Sequence, residues 1–331
     1  VFDPDESDYV RTRLTHTLEV EQIAKSICDA LSLNADLACA IALGHDVGHT
    51  PYGHAVEHLI DSELCAFTHS RQSARELDIL AQKKLGIQVL DGIIKHDTDF
   101  FLKVSPEYYK QYPDVEKINV NYCMGSLESQ TVYWADKIAY LSHDYEDFVS
   151  SGIAEEEIRR RNLSNNELVR CLKKLVLNNN KNAVNYNDFD LRDIIRNIIT
   201  ELIKNSFIKM NSVKSKDDIF VEINIKENEE EIKKQVISSM IVSLSNDWLF
   251  CFNELKDILR EHYIGHHKVR RKDFRACHRI QAIMRAFIDN PHLMPFEYGE
   301  LINKYGLERT IADYIAGMTN RYAEKTHDDT L

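Results

Sequence analysis

Turn-forming residues are scarce in this chain: its 331 residues include only eleven glycines and six prolines. Ordinary usage is roughly 12% glycine plus proline, and this chain has less than half of that. Sheets and sandwiches use both residue types in frequent turns, so the shortage predicts long helices and an all-α fold. Hydrophobic residues make up 44% and charged residues 28%. That is a globular balance, in a length that suits one large domain or two ordinary ones.

Apolar spacing predicts helices over 8–31, 34–48, 71–95 and 126–149, with Asn34 capping the second and Gly48 at its end. Thr50-Pro51 reads as a cap and first turn of another helix running through His58. Residues 156–235 are rich in Asn, Lys and Glu. They offer "NNNKNAVNYN" as a loop, a helix over 188–209, and an alternating "DIFVEINI" at 218–225 that suggests a short β-hairpin. Helical periodicity returns from 236. The expected organisation is a helical core over 1–155, a variable insertion over 156–235, and a C-terminal helical region over 236–331 packing on the core.

A net charge of −12 argues against broad nucleic-acid binding. The seven cysteines are an odd number without CxxC spacing, which reads as reduced thiols of a cytoplasmic protein. No signal peptide is expected, and no apolar run is long enough to span a membrane. Because the sequence begins at Val1 rather than Met, an N-terminal piece is expected to be missing.

The stretch "GHDVGHTPYGHAVEH", Gly44 to His58, holds four of the fourteen histidines. Buried unpaired imidazoles cost stability, so such a concentration points to a task. His45 and His49 are four apart and would share a helical face, with Asp46 about 100° away. An adjacent His-Asp pair can still serve one ion where a helix ends and the backbone opens. His16 in "RTRLTH" and Asp136 in "WADKIAYLSHD" supply a second imidazole and a second carboxylate. A mixed N/O set suits Mn, Fe, Mg, Co or Ni, and zinc less typically, with positions left for water. Taken singly, each of these residues also has an ordinary reading as a surface or hydrogen-bonded core position.

Five segments occur in order: "RTRLTHTLEVEQIAKSI", "AIALGHDVGHTPYGHAVE", "FTHSRQS", "WADKIAYLSHDYEDF" and "DYIAGMTNRYA". Together they resemble the deoxynucleoside triphosphate triphosphohydrolases, the dGTPase-like branch of the HD-domain phosphohydrolases. The likeness covers the first 150 residues and roughly the last 70. It implies an all-α HD fold and one divalent metal on His16, His45, Asp46 and Asp136. It further implies hydrolysis of a dNTP to deoxynucleoside and tripolyphosphate, by attack of metal-activated water at the α-phosphorus. Mg would accompany the triphosphate, a second dNTP could act as effector, and a dimer-based homo-oligomer, up to a hexamer, is the implied assembly.

The residues agree with that chemistry. A bound metal lowers the pKa of water and polarises a phosphoryl oxygen, while a departing 5′ oxygen needs a proton. His54 and Glu57 are three apart on one helical face, so the carboxylate can hold the imidazole and favour its protonated form. The family's active-site pair falls on these two positions, with His69 as a further active-site histidine. Arg13, three before His16, can grip phosphate, and the resemblance places a phosphate-binding arginine there. Lys137 is a second candidate. Tyr140 and Asp144 follow Asp136 along one side of a helix, where the family uses them around the deoxyribose.

His49 and His58 are left over, as a phosphate contact or support in the first case and support or surface in the second. A second metal using His69 and His96, as in diiron HD proteins, is an alternative against which the resemblance argues. Residues 262–279 carry six Lys/Arg and four His against one Asp. They would hold phosphate, an effector or single-stranded nucleic acid, or simply form a solvated face, and the thin aromatic content weakens the nucleic-acid reading. The segment between His58 and Phe67 lacks the glycines that family members often have there, which leaves base preference unassigned. Two other classes stand beside the main one. One is a different HD phosphohydrolase acting on nucleoside monophosphates or guanosine polyphosphates. The other is a non-catalytic nucleotide- or single-strand-binding regulator, which would be expected to lose part of the ligand set.

Overall fold

Local signals account for where most helices begin and end. The computed structural model describes residues 12–97, 124–176, 183–215, 218, 221–224 and 227–330. Its α-helices are α1 (Arg13–Leu31), α2 (Ala35–Gly44), α3 (His54–Glu63), α4 (His69–Ala74), α5 (Ile87–Lys95), α6 (Leu127–Ser150), α7 (Ile153–Arg159), α8 (Asn165–Leu175), α9 (Leu191–Met210), α10 (Glu229–Ser239), α11 (Asn246–Leu259), α12 (His267–Asp289), α13 (Tyr298–Tyr305), α14 (Leu307–Ala316) and α15 (Asn320–Thr330). Thr12 caps α1 by accepting from the Thr15 amide, and Ser32 closes it in a left-handed conformation. Asn34 Oδ1 accepts from Leu37 N at 3.1 Å, the predicted cap of α2. No described helix is long and apolar enough to cross a membrane.

Three expectations are corrected. The helix expected from Pro51 starts only at His54, because Tyr52 (φ 62°) and Gly53 (φ 75°) both adopt left-handed backbone. The stretch 71–95 is not one helix. α4 runs into a π-helical turn (Arg75–Leu80), and Gln82 and Lys84, at φ 53° and 51°, break the chain before α5. The strand expected at 218–225 does not form among the described residues, where Glu222 makes an isolated bridge; Ile219, Phe220 and Ile225 lie outside them, as do residues 8–11 of the first predicted helix.

The described residues fall into two compact units. The first lies within Val1–Cys39, Gln130–Ile219 and Met240–Arg270. Its core takes Ile23 and Ile27 of α1, Leu168, Cys171, Leu172 and Leu175 of α8, and Ile194, Ile198 and Leu202 of α9. The spacings of three and four are those of one helix face. Buried Trp134 donates its indole N–H to the Val242 carbonyl at 2.8 Å. Gln130 Oε1 accepts from the amides of Ile241 and Val242 at 2.8 and 2.9 Å. These bonds satisfy the backbone of a buried connection that has no helix partner.

The second unit lies within Ala40–Ser129, Phe220–Ser239 and Arg271–Leu331. Val56, Ile60 and Phe67 pack with Ile280, Ile283 and Phe287 of α12 and with Ile311 and Ile315 of α14. Beside this core lies a buried polar network. Asp313 accepts from Arg75 Nη2 at 2.7 Å and from Gln72 Nε2 at 3.0 Å, and Arg309 Nη2 lies 3.1 Å away. Gln72 also donates to Glu76 at 2.9 Å. Tyr52 donates its amide to Asn320 Oδ1 and its hydroxyl to Asn320 O, at 2.9 and 3.2 Å. The "DYIAGMTNRY" segment thus anchors both the His69 helix and the His54 turn.

Burial raises the Glu76 carboxyl to about 7, against the pull of its bond from Gln72. A carboxyl raised on folding favours the folded state below its unfolded pKa, and that advantage is lost as pH rises through the folded value. Glu76→Gln should therefore remove a stability decline between pH 4.5 and 7, gaining roughly 1–3 kcal/mol over the parent at pH 8. Urea melts of both proteins across that range would check it.

Candidate active site

α2 stops at Gly44, and His45–Gly48 form a turn, so His45, Asp46 and His49 do not ride one helix as their spacing predicted. The backbone opens where an adjacent His-Asp pair requires it to. Gly48 permits the turn to lie on α4: a Cβ there would stand 2.2 Å from Ser73 N and 2.3 Å from Gln72 C. Ser73 Oγ accepts from the Gly48 amide at 2.9 Å and gives its proton to the His45 carbonyl at 2.6 Å. His45 is fully buried and donates Nδ1–H to the Ala42 carbonyl at 2.6 Å. Its Nε2 therefore carries the lone pair and faces Asp46 Oδ2 at 3.8 Å. A metal-ligating imidazole needs that tautomer.

Glu57, in the first turn of α3, organises the histidines. Its Oε2 accepts from His54 Nδ1 at 2.9 Å, and its Oε1 accepts both the backbone amide and Nδ1 of His69, at 2.8 and 3.0 Å. Burial alone would raise the Glu57 carboxyl, but the charge and hydrogen bonds of His69 and His54 hold it well below the usual carboxylate range. Burial works against charge on His69, yet Glu57 outweighs it and lifts that imidazole to about 9. His54 is half-exposed; its hydrogen bond to Glu57 overcomes desolvation and raises it too.

Around these sit groups that the sequence left open. His49 is buried and stacks on His69, with ring centroids 4.8 Å apart and planes 20° from parallel. His96 donates Nδ1–H to the Ile93 carbonyl at 2.6 Å and brings Nε2 to within 3.1 Å of His69 Nε2. Asp46 Oδ1 and Asp97 Oδ2 each lie 3.9 Å from that His69 nitrogen. Two sets in this unit, His49-His54-Glu57-His69 and Asp46-His69-His96, have the donors and spacing to hold a metal ion. His58 is exposed.

In the first unit His16 Nε2 meets Asp136 Oδ1 at 3.1 Å. Two donors on one ion, with bonds of about 2.1 Å at a right angle, stand about 3 Å apart, so this pair has ligand spacing. Lys137 Nζ is 3.5 Å from Asp136 Oδ2. Tyr140 is exposed and Asp144, one turn on, is buried. Arg13 is exposed at the start of α1, one turn before His16. The four residues expected around one ion thus lie as two pairs, one pair in each unit. Sequence reading missed His143 and Glu19, which meet at 2.7 Å; their spacings of seven from Asp136 and three from His16 were the available signal. Of the basic stretch, His262 and Lys268 pair with Glu157 and Glu156 at 3.0 and 2.9 Å. Arg279 pairs with Glu324.

Residues 13–141 match the HD domain, and residues 242–329 match the phosphohydrolase-associated domain. A deoxyguanosinetriphosphate triphosphohydrolase-like protein of Rickettsia akari is 31% identical over 336 residues, covering 98% of this chain and 82% of the relative. One from Caldanaerobacter subterraneus is 33% identical over 328 residues, covering 98% and 76%. The chain belongs to the dGTP triphosphohydrolase-like family of HD-domain phosphohydrolases. The first match contains Arg13, His16, His45, Asp46, His54, Glu57, His69, Asp136, Lys137 and Tyr140, with Asp144 just past its end, and the second contains Asp313 and Asn320.

Gly48 tolerates a side chain poorly, since the atoms a Cβ would meet are the backbone of α4. Gly48→Ala should cost about 3 kcal/mol or more, far above an ordinary glycine-to-alanine change, and calorimetry with a far-UV melt would measure it.

Proposed function

We propose that this chain hydrolyses deoxynucleoside triphosphates, dGTP or several of the four, to deoxynucleoside and intact tripolyphosphate. The observation that carries the reading is the half-exposed His54 held through Nδ1 by a buried, ionised Glu57. Cleaving the bond between the α-phosphorus and the 5′ oxygen leaves an alkoxide, and this pair is built to supply its proton. With Nδ1 engaged, the proton delivered is the one on Nε2. Glu57 stabilises the imidazolium before transfer, and His69 keeps Glu57 ionised.

In this reading His16, His45, Asp46 and Asp136 hold one divalent ion. The His45 tautomer and the 3.1 Å spacing of His16 and Asp136 suit that role. When bound, the ion supplies charge for a phosphoryl oxygen and a more acidic water. Arg13 and Lys137 grip the phosphates, as a fork and a point charge respectively. Asp144 accepts from the 3′-hydroxyl while Tyr140 crowds the 2′ position, which favours deoxyribose. A second dNTP as effector and a dimer-based homo-oligomer complete the proposal, resting on the family alone. Purified protein given each dNTP with Mn²⁺ or Mg²⁺, singly and mixed, should yield tripolyphosphate on ion exchange. His54→Ala should lower kcat by roughly 10²–10⁴. Orthophosphate, pyrophosphate or no turnover in any mixture would remove the substrate assignment.

One observation favours a second ion. Both His69 and His96 commit Nδ1–H elsewhere, so their Nε2 atoms, 3.1 Å apart, need a cation between them, whether proton or metal. Asp46 turns one oxygen toward His45 and the other toward His69. Elemental analysis of protein purified without chelator distinguishes the two: a metal ratio near two that falls to one in His96→Ala supports the second ion, and a ratio of one in the parent excludes it.

A further inference from the structure

α1 and α6 exchange two side-chain pairs within the first unit. α1 carries His16 and Glu19 three residues apart, and α6 carries Asp136 and His143 two turns apart. Each helix thus presents one imidazole and one carboxylate on a single face. His16 Nε2 meets Asp136 Oδ1 at 3.1 Å, and His143 Nε2 meets Glu19 Oε2 at 2.7 Å. The two imidazoles also touch edge to face, with centroids 5.3 Å apart and planes at 71°.

The two pairs differ in what an ion does to them. An ion on His16 and Asp136 would displace the proton shared by Nε2 and Oδ1 and take their lone pairs, so that hydrogen bond cannot hold the helices in register once metal binds. Against a carboxylate, His143 Nε2–H can only donate. Its bond to Glu19 therefore persists, and so does the edge of its ring against His16. Groups that hold a ligand's orientation beforehand raise affinity, because the ordering is not left to the binding event.

We propose that Glu19 and His143 are a positioning pair for the metal ligands: they fix the α1–α6 register and the His16 ring plane. His16 and Asp136 then keep ligand spacing with or without the ion. The inference rests on the reading of His16 and Asp136 as metal ligands.

The test is Mn²⁺ binding to the purified chain, followed by EPR of unbound Mn²⁺ and by calorimetry, well below each variant's melting temperature. His143→Ala and Glu19→Ala should weaken Mn²⁺ binding roughly 10- to 100-fold, and turnover lost at low Mn²⁺ should return as Mn²⁺ is raised. His143→Gln keeps an N–H able to donate to Glu19 and should recover part of the affinity, which loss of packing alone would not produce. If His143→Ala fails to fold, Glu19→Ala and His143→Gln carry the measurement. His16→Ala is the control. Mn²⁺ affinity within about twofold of the parent in the Glu19 and His143 variants, beside a weakened His16→Ala, overturns the positioning role. Parent-like affinity in His16→Ala itself overturns the ligand assignment and this inference with it.

Discussion

Asp313 is a carboxylate buried between two guanidinium groups and an amide, and the second unit's histidine cluster depends on it. Charge this deep persists only when paired and fully hydrogen-bonded, and Arg75, Arg309 and Gln72 provide that. Removing the carboxylate would strand two buried cations, a loss of about 3–5 kcal/mol on the scale of broken buried pairs. Arg75 and Gln72 belong to the helical stretch that begins with His69, so its register is set by a residue 238 positions further along the chain. The same stretch is held at its start by Glu57, which accepts the His69 amide, and in its middle by Ser73 against the Gly48 turn. α4 is short, but separate bonds reference the His45–Gly48 turn, Glu57 and the C-terminal region to it.

This arrangement explains which parts could be read from the sequence. The shortage of glycine and proline gave the helical class directly, because it is a property of the whole chain. Asn34 was legible as a cap because capping is local. Pro51 misled for the same reason: its φ suits a helix start, but Tyr52 and Gly53 turn left-handed, with Tyr52 bonded to Asn320. That partner lies far away in sequence, and no local rule contains it. The "DYIAGMTNRY" segment was recognisable as a family feature, while its work as an anchor became visible only when Asp313 met Arg75 and Asn320 met Tyr52.

The candidate site was legible to a similar depth. Residue types and spacings marked the His54–Glu57 pair, and the structure brings the two within 2.9 Å of each other. Spacing also suggested a shared face for His45 and His49, which the helix end at Gly44 removes. What spacing cannot supply is ring state. That His45 offers Nε2 follows from a carbonyl three residues back, and that His69 favours charge follows from a carboxylate twelve residues back. Both depend on χ angles that sequence does not encode.

The contrast between His54 and His69 bears most on the proposed chemistry. Both bond to one carboxylate, yet one side chain is half-exposed and the other almost wholly buried. An acid that turns over must regain its proton, and a solvent-facing ring can do so directly. Glu57 lifts the buried ring to about 9, which favours its charged form, and burial limits its access to solvent. It therefore serves better as a fixed positive charge than as a donor. Such a charge keeps Glu57 ionised and, with the triphosphate proposed as substrate, would add attraction that water screens little. One carboxylate thus supports two unlike histidines: Glu57 favours charge on the buried ring in spite of its burial, and exposure leaves the other ring open to proton exchange.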